Sequence, residues 1–338
     1  ETEDGLDRAV WDQASSQLGL LGLAIPEEYG GAGFTFSEQA IVLEELGAGL
    51  YGGPYLASAV LAATALLASA DQGAQRDLLP AIASGETIAT LAFTEDDGSW
   101  DPAKIRMAAI KAGDGWRLDG HKSFVLDGGS AGLILVLAVT DGGRSLFAVN
   151  ADAPGLTRTA LPTMDQTRKL ARLDFDGVPG RLIGGAGDGA AVIDRVLDVA
   201  AIALAAEQLG GAQRSLDLTV EYTKVRHQFG RPIGSFQGLK HRMADLLMEV
   251  ESLRSAVSYA AAAVAAGSDE VPIVASLVKA YASETYFHVA AESIQMHGGI
   301  GFTWEHDAHL YFKRAKSSEL FLGDASYHRE RLAQRIGL

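Results

Sequence analysis

Apolar positions change their spacing twice along the chain. Over residues 1–88 they recur at helical intervals between glycine-rich breaks. Leu18, Leu20, Leu21 and Leu23 lead into the breaker Pro26-Glu27-Glu28-Tyr29-Gly30-Gly31, and Ser37 is placed to cap a helix carrying Ile41, Val42, Leu43 and Leu46 that Gly47 and Gly49 end. Residues 57–70 and 74–83 continue the helical pattern. Over residues 89–185 strand-like runs take over: Trp116 to Gly120, Lys122 to Gly129, Leu133 to Thr140, Ser145 to Asn150 and the alternating Leu170 to Phe175. Over residues 186–338 helical periodicity returns in three long segments, 193–225, 235–266 and 273–296, broken at Gly210-Gly211, Gly230 to Gly234 and Gly267. The pattern predicts an α+β, mainly α protein. An N-terminal helical domain (1–88), a middle antiparallel β-domain (89–185) and a C-terminal four-helix bundle (186–338) follow one another.

Composition narrows the function. The 338 residues include no cysteine, which excludes disulfides, thiolate nucleophiles and Cys-ligated metal. With 28 Lys and Arg against 43 Asp and Glu the formal charge is -15, opposite to what nucleic-acid binding requires. No apolar run reaches the ~20 residues of a membrane span. The chain opens at Glu1 without a signal-peptide pattern, so a cytoplasmic protein is expected. Several motifs are decoys. Gly128-Gly129-Ser130-Ala131-Gly132 matches a nucleophile elbow but is followed by a strand, so it reads as a turn. Gly184 to Gly189 resembles a phosphate loop without a βαβ unit and carries Asp188, so it reads as a linker. His297, His306 and His309 lack metal-ligand spacing, and no metal is expected. Glu249 and Glu251 cannot face one another on one helix and read as surface charges.

Two C-terminal segments differ in kind: Tyr222-Thr223-Lys224-Val225-Arg226-His227-Gln228-Phe229-Gly230-Arg231-Pro232-Ile233-Gly234-Ser235-Phe236-Gln237, and Gln295-Met296-His297-Gly298-Gly299-Ile300-Gly301-Phe302. Both resemble signatures of the acyl-CoA dehydrogenase family. The Pro26–Gly31 loop, Phe93-Thr94-Glu95, Gly120-His121-Lys122 and Lys313-Arg314-Ala315-Lys316 have counterparts in the same order, so the resemblance covers essentially the whole chain. It implies the family's three-domain fold, FAD as cofactor, an acyl-CoA substrate and α,β-desaturation. In that reaction a Glu removes the α proton, the flavin takes the β hydrogen as hydride, and electrons pass to an acceptor such as an electron-transfer flavoprotein. By resemblance Arg226, Phe229, Gln295, Gly298 and Gly299 bind the ADP part of FAD, acting across a dimer interface. An Arg fork suits pyrophosphate oxygens, and glycines let backbone approach a cofactor.

The sequence departs from the family where chemistry is expected. Leu322, in Phe321-Leu322-Gly323-Asp324-Ala325-Ser326, stands where the base usually lies. Ala200 stands at the alternative location on the first bundle helix, so no catalytic residue is assigned. Glu207 lies two turns on, roughly 10 Å away at ~1.5 Å per residue. Phe124-Val125-Leu126 replaces a Trp-Ile-Thr whose Thr contacts the flavin, and Ala201 replaces an Arg common at the CoA end. Asp96, Asp97 and Asp324 bring negative charge toward expected phosphate positions. The resemblance therefore implies a base-lacking subunit of an α2β2 acyl-CoA dehydrogenase. Its related partner keeps the Glu, and the substrates of such assemblies include CoA thioesters of sterol side chains. Two alternatives stand beside it: a self-sufficient homotetramer with a relocated base at Glu207 or Glu95, and a non-catalytic scaffold.

Overall fold

The computed structural model describes residues 6–338; the first five residues of the expected N-terminal domain lie outside the described residues. The chain divides into two compact units, Glu1–Gln39 with Gly52–Ala200 and Ala40–Tyr51 with Ala201–Leu338.

The first unit opens with helix α1 (Arg8–Asp12), which Asp7 caps by accepting from Ala9 N and Val10 N at 3.0 and 3.2 Å. In the Pro26–Gly31 loop a Cβ on Gly31 would lie 2.0 Å from Ile25 O, so only glycine fits there. Helix α2 (Phe36–Ala48) starts ahead of Ser37, and the cap is Thr35 instead. Thr35 Oγ1 accepts from Ser37 N at 3.2 Å, while Glu38 accepts from Thr35 N at 2.9 Å. This Thr-x-x-Glu exchange satisfies two free amides where a Ser37 cap would satisfy one. A π turn (Leu56–Ala62) runs into α3 (Ala63–Ala68), and this segment is apolar nearly all round because it is buried. Its buried Ser58 hydroxyl accepts from Ala89 N at 2.9 Å and donates to Ala89 O at 3.0 Å, fastening the helix to strand β1 (Ala89–Ala92). Helix α4 (Gln72–Ala83) adds Gln75, which closes the end of α3 by donating to Leu66 O and Leu67 O.

The sheet comprises β1, β2 (Ala108–Ala112), β3 (Gly115–Leu126), β4 (Leu133–Thr140), β5 (Gly143–Asn150), β6 (Leu156–Leu161) and β7 (Leu170–Ile183). Its pairings close a ring, β4–β5–β7–β3–β2–β4, with β1 added beside β4 and β6 beside β7. Closure removes open edges. Most pairs are antiparallel, as the alternating segments predict, but β1 runs parallel to β4 and β2 meets β4 in parallel at Ala108 and Val139. Strand β4 is paired on both sides and buried on both faces, which accounts for its unbroken apolar run. The Gly128–Gly132 motif is a turn entering β4, as expected. In the Gly184–Gly189 segment Asp188 accepts from Gly185 N at 3.0 Å and Asp71 from Gly184 N at 3.0 Å, so the loop amides are held by the protein's own carboxylates.

The second unit is built from the later part of α5 (Gly189–Val225), α6 (Gln237–Ala265), α7 (Val271–His297), α8 (Ala308–Leu320) and α9 (Ala325–Arg335), with residues 40–51 laid across α5. The crossing is reciprocal: a Cβ on Gly47 would sit 1.9 Å from Glu207 O, and one on Gly210 would sit 1.7 Å from Glu44 O. A Cβ on Gly211 would sit 2.4 Å from the Tyr286 ring of α7. Gly210→Ala is therefore expected to destabilise the protein by about 3 kcal/mol or to block folding, since backbone cannot yield as a side chain can. Gly129→Ala, facing open space, should stay within about 0.5 kcal/mol. Thermal denaturation of the two variants checks the contrast.

Candidate functional site

Chemistry-bearing residues gather at the second unit's edge formed by the C-termini of α5 and α7. Thr219 of α5 donates to Ser293 of α7 at 2.8 Å, and one turn on the Tyr222 ring stacks on His297 with centroids 4.4 Å apart. These contacts bring the two signature segments side by side. Beyond Tyr222 the chain turns through a small hairpin, β8 (His227–Gln228) and β9 (Arg231–Pro232). Its two-residue tip is Phe229 (φ +53°) and Gly230 (φ +76°). Two positive φ values match the right-handed twist of a tight hairpin, and glycine accepts this freely while phenylalanine does not. Phe229 is nonetheless 91% exposed. Its only ring neighbour among the described residues is Phe236, at 6.2 Å edge-on, and Arg231 lies over the other side of that ring at 4.0 Å. Arg226 is exposed, and its guanidinium makes no hydrogen bond or ion pair among the described residues. Gln295 is exposed on the last turn of α7. Gly298 follows at φ +64° and ψ -141°, a conformation for glycine alone, and both Gly298 and Gly299 face open space. The edge offers a free cation, an amide side chain and bare backbone, a donor set suited to an anion.

The loop after α8 is fully built but holds no carboxylate at Leu322. Leu322 is only 2% exposed and sits at φ +63°. Buried Lys279 of α7 donates to Glu319 O at 3.2 Å, Gly323 O at 2.9 Å and Ser283 Oγ at 2.8 Å. His328 Nε2 donates to Leu322 O at 2.9 Å, and burial with the nearby Lys279 charge pulls that imidazole down to about 3, so it stays neutral. Asp324, expected to repel a phosphate, caps α9 by accepting from Tyr327 N at 2.8 Å. Ala200 and Ala201 are buried in α5. Glu207, the alternative base, is taken up by a buried ion pair with Arg314 at 2.5 Å, and Arg314 also donates to Tyr51 O at 3.1 Å. Lys279 escaped the sequence reading, although a lone Lys within the apolar face of a long helix was a signal for it.

A second cluster lies in the first unit, around a bulge in β3. Lys122 pairs with Leu173 and Val125 with Ala171, so Ser123 and Phe124 oppose a single residue, and Phe124 takes φ +58°. Lys122 is fully buried, donating to Phe93 O at 3.2 Å and Glu95 at 2.9 Å; burial pulls its pKa down to about 8 against the opposing pull of Glu95. For Glu95 partial burial works upward. Hydrogen bonds from Met107 N, Lys122 and Arg106 N outweigh it and hold the carboxyl below the ordinary range, unsuited to a base. Asp96 accepts from Ser123 at 2.5 Å and meets Arg172 and His121 at 2.9 Å each. The Ser123 bond first, then Arg172 and His121, lower its pKa. Asp97 accepts from Ser99 N at 3.0 Å. The acidic run is thus internally compensated, contrary to its expected repulsion of phosphate. Leu126 is buried, and its carbonyl accepts from Thr90 at 2.5 Å.

Among the described residues no group of three or more His, Asp or Glu could hold a metal ion, and no helix is long and apolar enough to cross a membrane.

Family models match along the chain in order: acyl-CoA dehydrogenase N-terminal domain at residues 1–86, middle domain at 90–178 and C-terminal domain at 187–337. The acyl-CoA dehydrogenase IpdE2 of Mycobacterium tuberculosis is 40% identical over 95% of this chain and 84% of its own length. Among solved structures, the ChsE4–ChsE5 complex from Mycobacterium tuberculosis matches with a TM-score of 0.90 at 34% identity, covering 99% of this chain and 90% of that one. A variant of the Tcur3481–Tcur3483 steroid ACAD matches with a TM-score of 0.88 at 36% identity and the same coverage.

The Glu207 ion pair generates a prediction. Glu207→Gln should destabilise the fold by about 3 kcal/mol, because it leaves Arg314 charged and buried without its partner. Chemical denaturation measures this; a stable variant would mean that Glu207 is not a structural carboxylate.

Proposed function

The chain belongs to the acyl-CoA dehydrogenase family, and on that premise we propose that it is the base-lacking subunit of a heteromeric FAD-dependent enzyme. It lends nucleotide contacts to a related subunit that carries the catalytic Glu. One contrast carries the reading. The loop at Leu322 is intact, pinned by Lys279 and His328, and presents a buried hydrocarbon where the family places its carboxylate. The edge at Arg226 is intact too, yet its cation, amide and glycines are left open. A decayed enzyme would lose both, and a self-sufficient one would keep both.

The edge suits the adenine-nucleotide half of FAD on chemical grounds. Arg226 would neutralise and orient pyrophosphate oxygens, with Gln295 and the bare backbone of Gly298 and Gly299 donating alongside. Phe229, projecting from its rigid tip, would supply an apolar face to the ring system. When bound, the flavin accepts hydride from the β carbon of the acyl chain. Proton removal from the α carbon needs a carboxylate that Leu322 and Ala200 cannot provide. Glu207 and Glu95 do not replace it, since the first neutralises Arg314 and the second is held ionised by Lys122 and two backbone amides. In this reading the assembly is α2β2, its substrate an acyl-CoA and its oxidant an electron-transfer flavoprotein. The solved two-component neighbours support such an assembly, and the word steroid in one of their names supports a sterol-derived acyl group.

The test is co-purification with a related chain that has the Glu. The complex should hold FAD and turn over acyl-CoA, while this chain alone should do neither; full flavin loading and turnover by the isolated chain would falsify the reading. Within the complex Arg226→Ala should weaken FAD binding about 10- to 100-fold, the loss expected for one charged hydrogen-bonding partner worth ~1.5–3 kcal/mol. Fluorescence titration of released flavin reads it.

A further inference from the structure

His297 joins the two halves of the open edge. It ends α7, immediately before Gly298, and is 3% exposed. It stacks on Tyr222 of α5 at 4.4 Å, one turn before Arg226, and meets His306, in the segment leading to α8, at 4.2 Å. Tyr222 and His306 also approach each other edge-on at 6.3 Å, so three rings from three chain segments form one cluster.

The hydrogen bonds fix the tautomer of each neutral histidine in this cluster. His297 Nδ1 lies 2.7 Å from Ser293 O, an atom that can only accept, so Nδ1 carries the proton. Nε2 is then a bare lone pair, and it is buried with no partner. His306 Nδ1 accepts from Ala308 N at 3.1 Å, which requires it to be unprotonated at that atom. Adding a proton to His297 would bury an N–H without an acceptor and place a cation against the facing His306. The titratable groups facing His297 are Tyr222 from α5 and His306 from the segment before α8. On its own helix it meets the neutral Ser293, and Glu305, Asp307 and His309 flank His306 in sequence. None of the ring contacts brings a carboxylate to compensate the charge.

We infer that His297 is a positioning residue that holds Arg226 and Gly298-Gly299 in register for the nucleotide, and that it does so only as the neutral imidazole. The inference rests on the nucleotide role proposed for this edge. Burial first, and the facing His306 with it, lower the His297 pKa, against the raising effect of the Ser293 bond. The sign follows from that direction. The unfolded chain takes up a proton near the ordinary ~6.5 while the folded cluster resists it. The clamp is at full strength above that pH and is lost as pH falls through the lower pKa of the folded imidazole.

Two measurements test this. In the assembled complex, FAD retention should hold between pH 7.5 and pH 6.5 and fall about tenfold only at lower pH, once the folded His297 takes up its proton. His297→Phe, which keeps a flat ring without a titrating nitrogen, should flatten that profile, and His297→Ala should weaken retention at every pH. A His297→Phe profile that still falls like the parent's would overturn the inference. In the isolated chain, with histidine ring carbons labelled, the His297 resonance should titrate well below 6.5 and the Tyr222 ring signals should shift with it. Titration at 6.5 with Tyr222 unmoved would overturn the clamp equally. This second arm needs neither FAD nor partner, so a complex that fails to hold flavin would defeat the proposed function while leaving the clamp to be decided on its own.

Discussion

The second unit depends on how closely backbone can approach α5. At Gly47, Gly210 and Gly211 there is no room for a Cβ, and the contacts that would be lost are to main-chain atoms or to the Tyr286 ring. Because the helices meet at this distance, Glu207 is sealed off from water, and a sealed carboxylate needs a charged partner, which Arg314 supplies. Arg314 in turn ties down Tyr51 O, while Tyr311 of the same helix donates to Ala48 O at 2.7 Å. The same α5, held rigid along this strip, delivers Tyr222 and Arg226 to the open edge. The close packing at Gly210 and Gly211 and the open edge beyond Tyr222 are thus carried by one continuous helix.

Backbone strain marks the places of interest independently of residue identity. Among the described residues six non-glycine residues take positive φ, and three of them, Phe124, Phe229 and Leu322, fall within the family-like segments. Each costs on the order of 1–3 kcal/mol, which the surroundings must offset. At Leu322 two buried hydrogen-bonding side chains hold the loop; at Phe124 a bulge imposes the conformation; at Phe229 a two-residue turn does. A loop whose only task was to join α8 to α9 would need no such shape.

Much of the fold was legible because it is written in spacing. The period of apolar residues located the long helices within a few residues, and the unbroken run Leu133 to Thr140 announced a strand buried on both faces. The parallel pairing of β1 with β4 was not legible, since strand direction depends on partners distant in sequence. Nor was the Thr35 cap, although Thr35 and Glu38 had the right spacing; Ser37 was the more conspicuous residue. In the site, resemblance to the family singled out Arg226, Phe229, Gln295, Gly298 and Gly299, and all five lie exposed. It misjudged Asp96 and Asp324, because charge was counted without its neighbours: Arg172 and His121 reach Asp96 across strands, and the amide that uses Asp324 belongs to the next helix. His297 was weighed only as a metal ligand, since a ring cluster between three segments leaves no local trace.

The division of the chain has a consequence for its synthesis. Residues 40–51 belong to the second unit, yet everything else in that unit begins at residue 201. A ribosome adding about 5–20 residues per second delivers the intervening ~150 residues over roughly ten to thirty seconds. Throughout that interval the glycine-bearing segment that will lie across α5 has emerged without its counterpart. The first unit can close its strand ring only once β7 has emerged at the end of that interval, so while residues 201–338 are still being added one unit is complete and its own twelve-residue insertion is still waiting. That stage is when a holding chaperone would have most to protect.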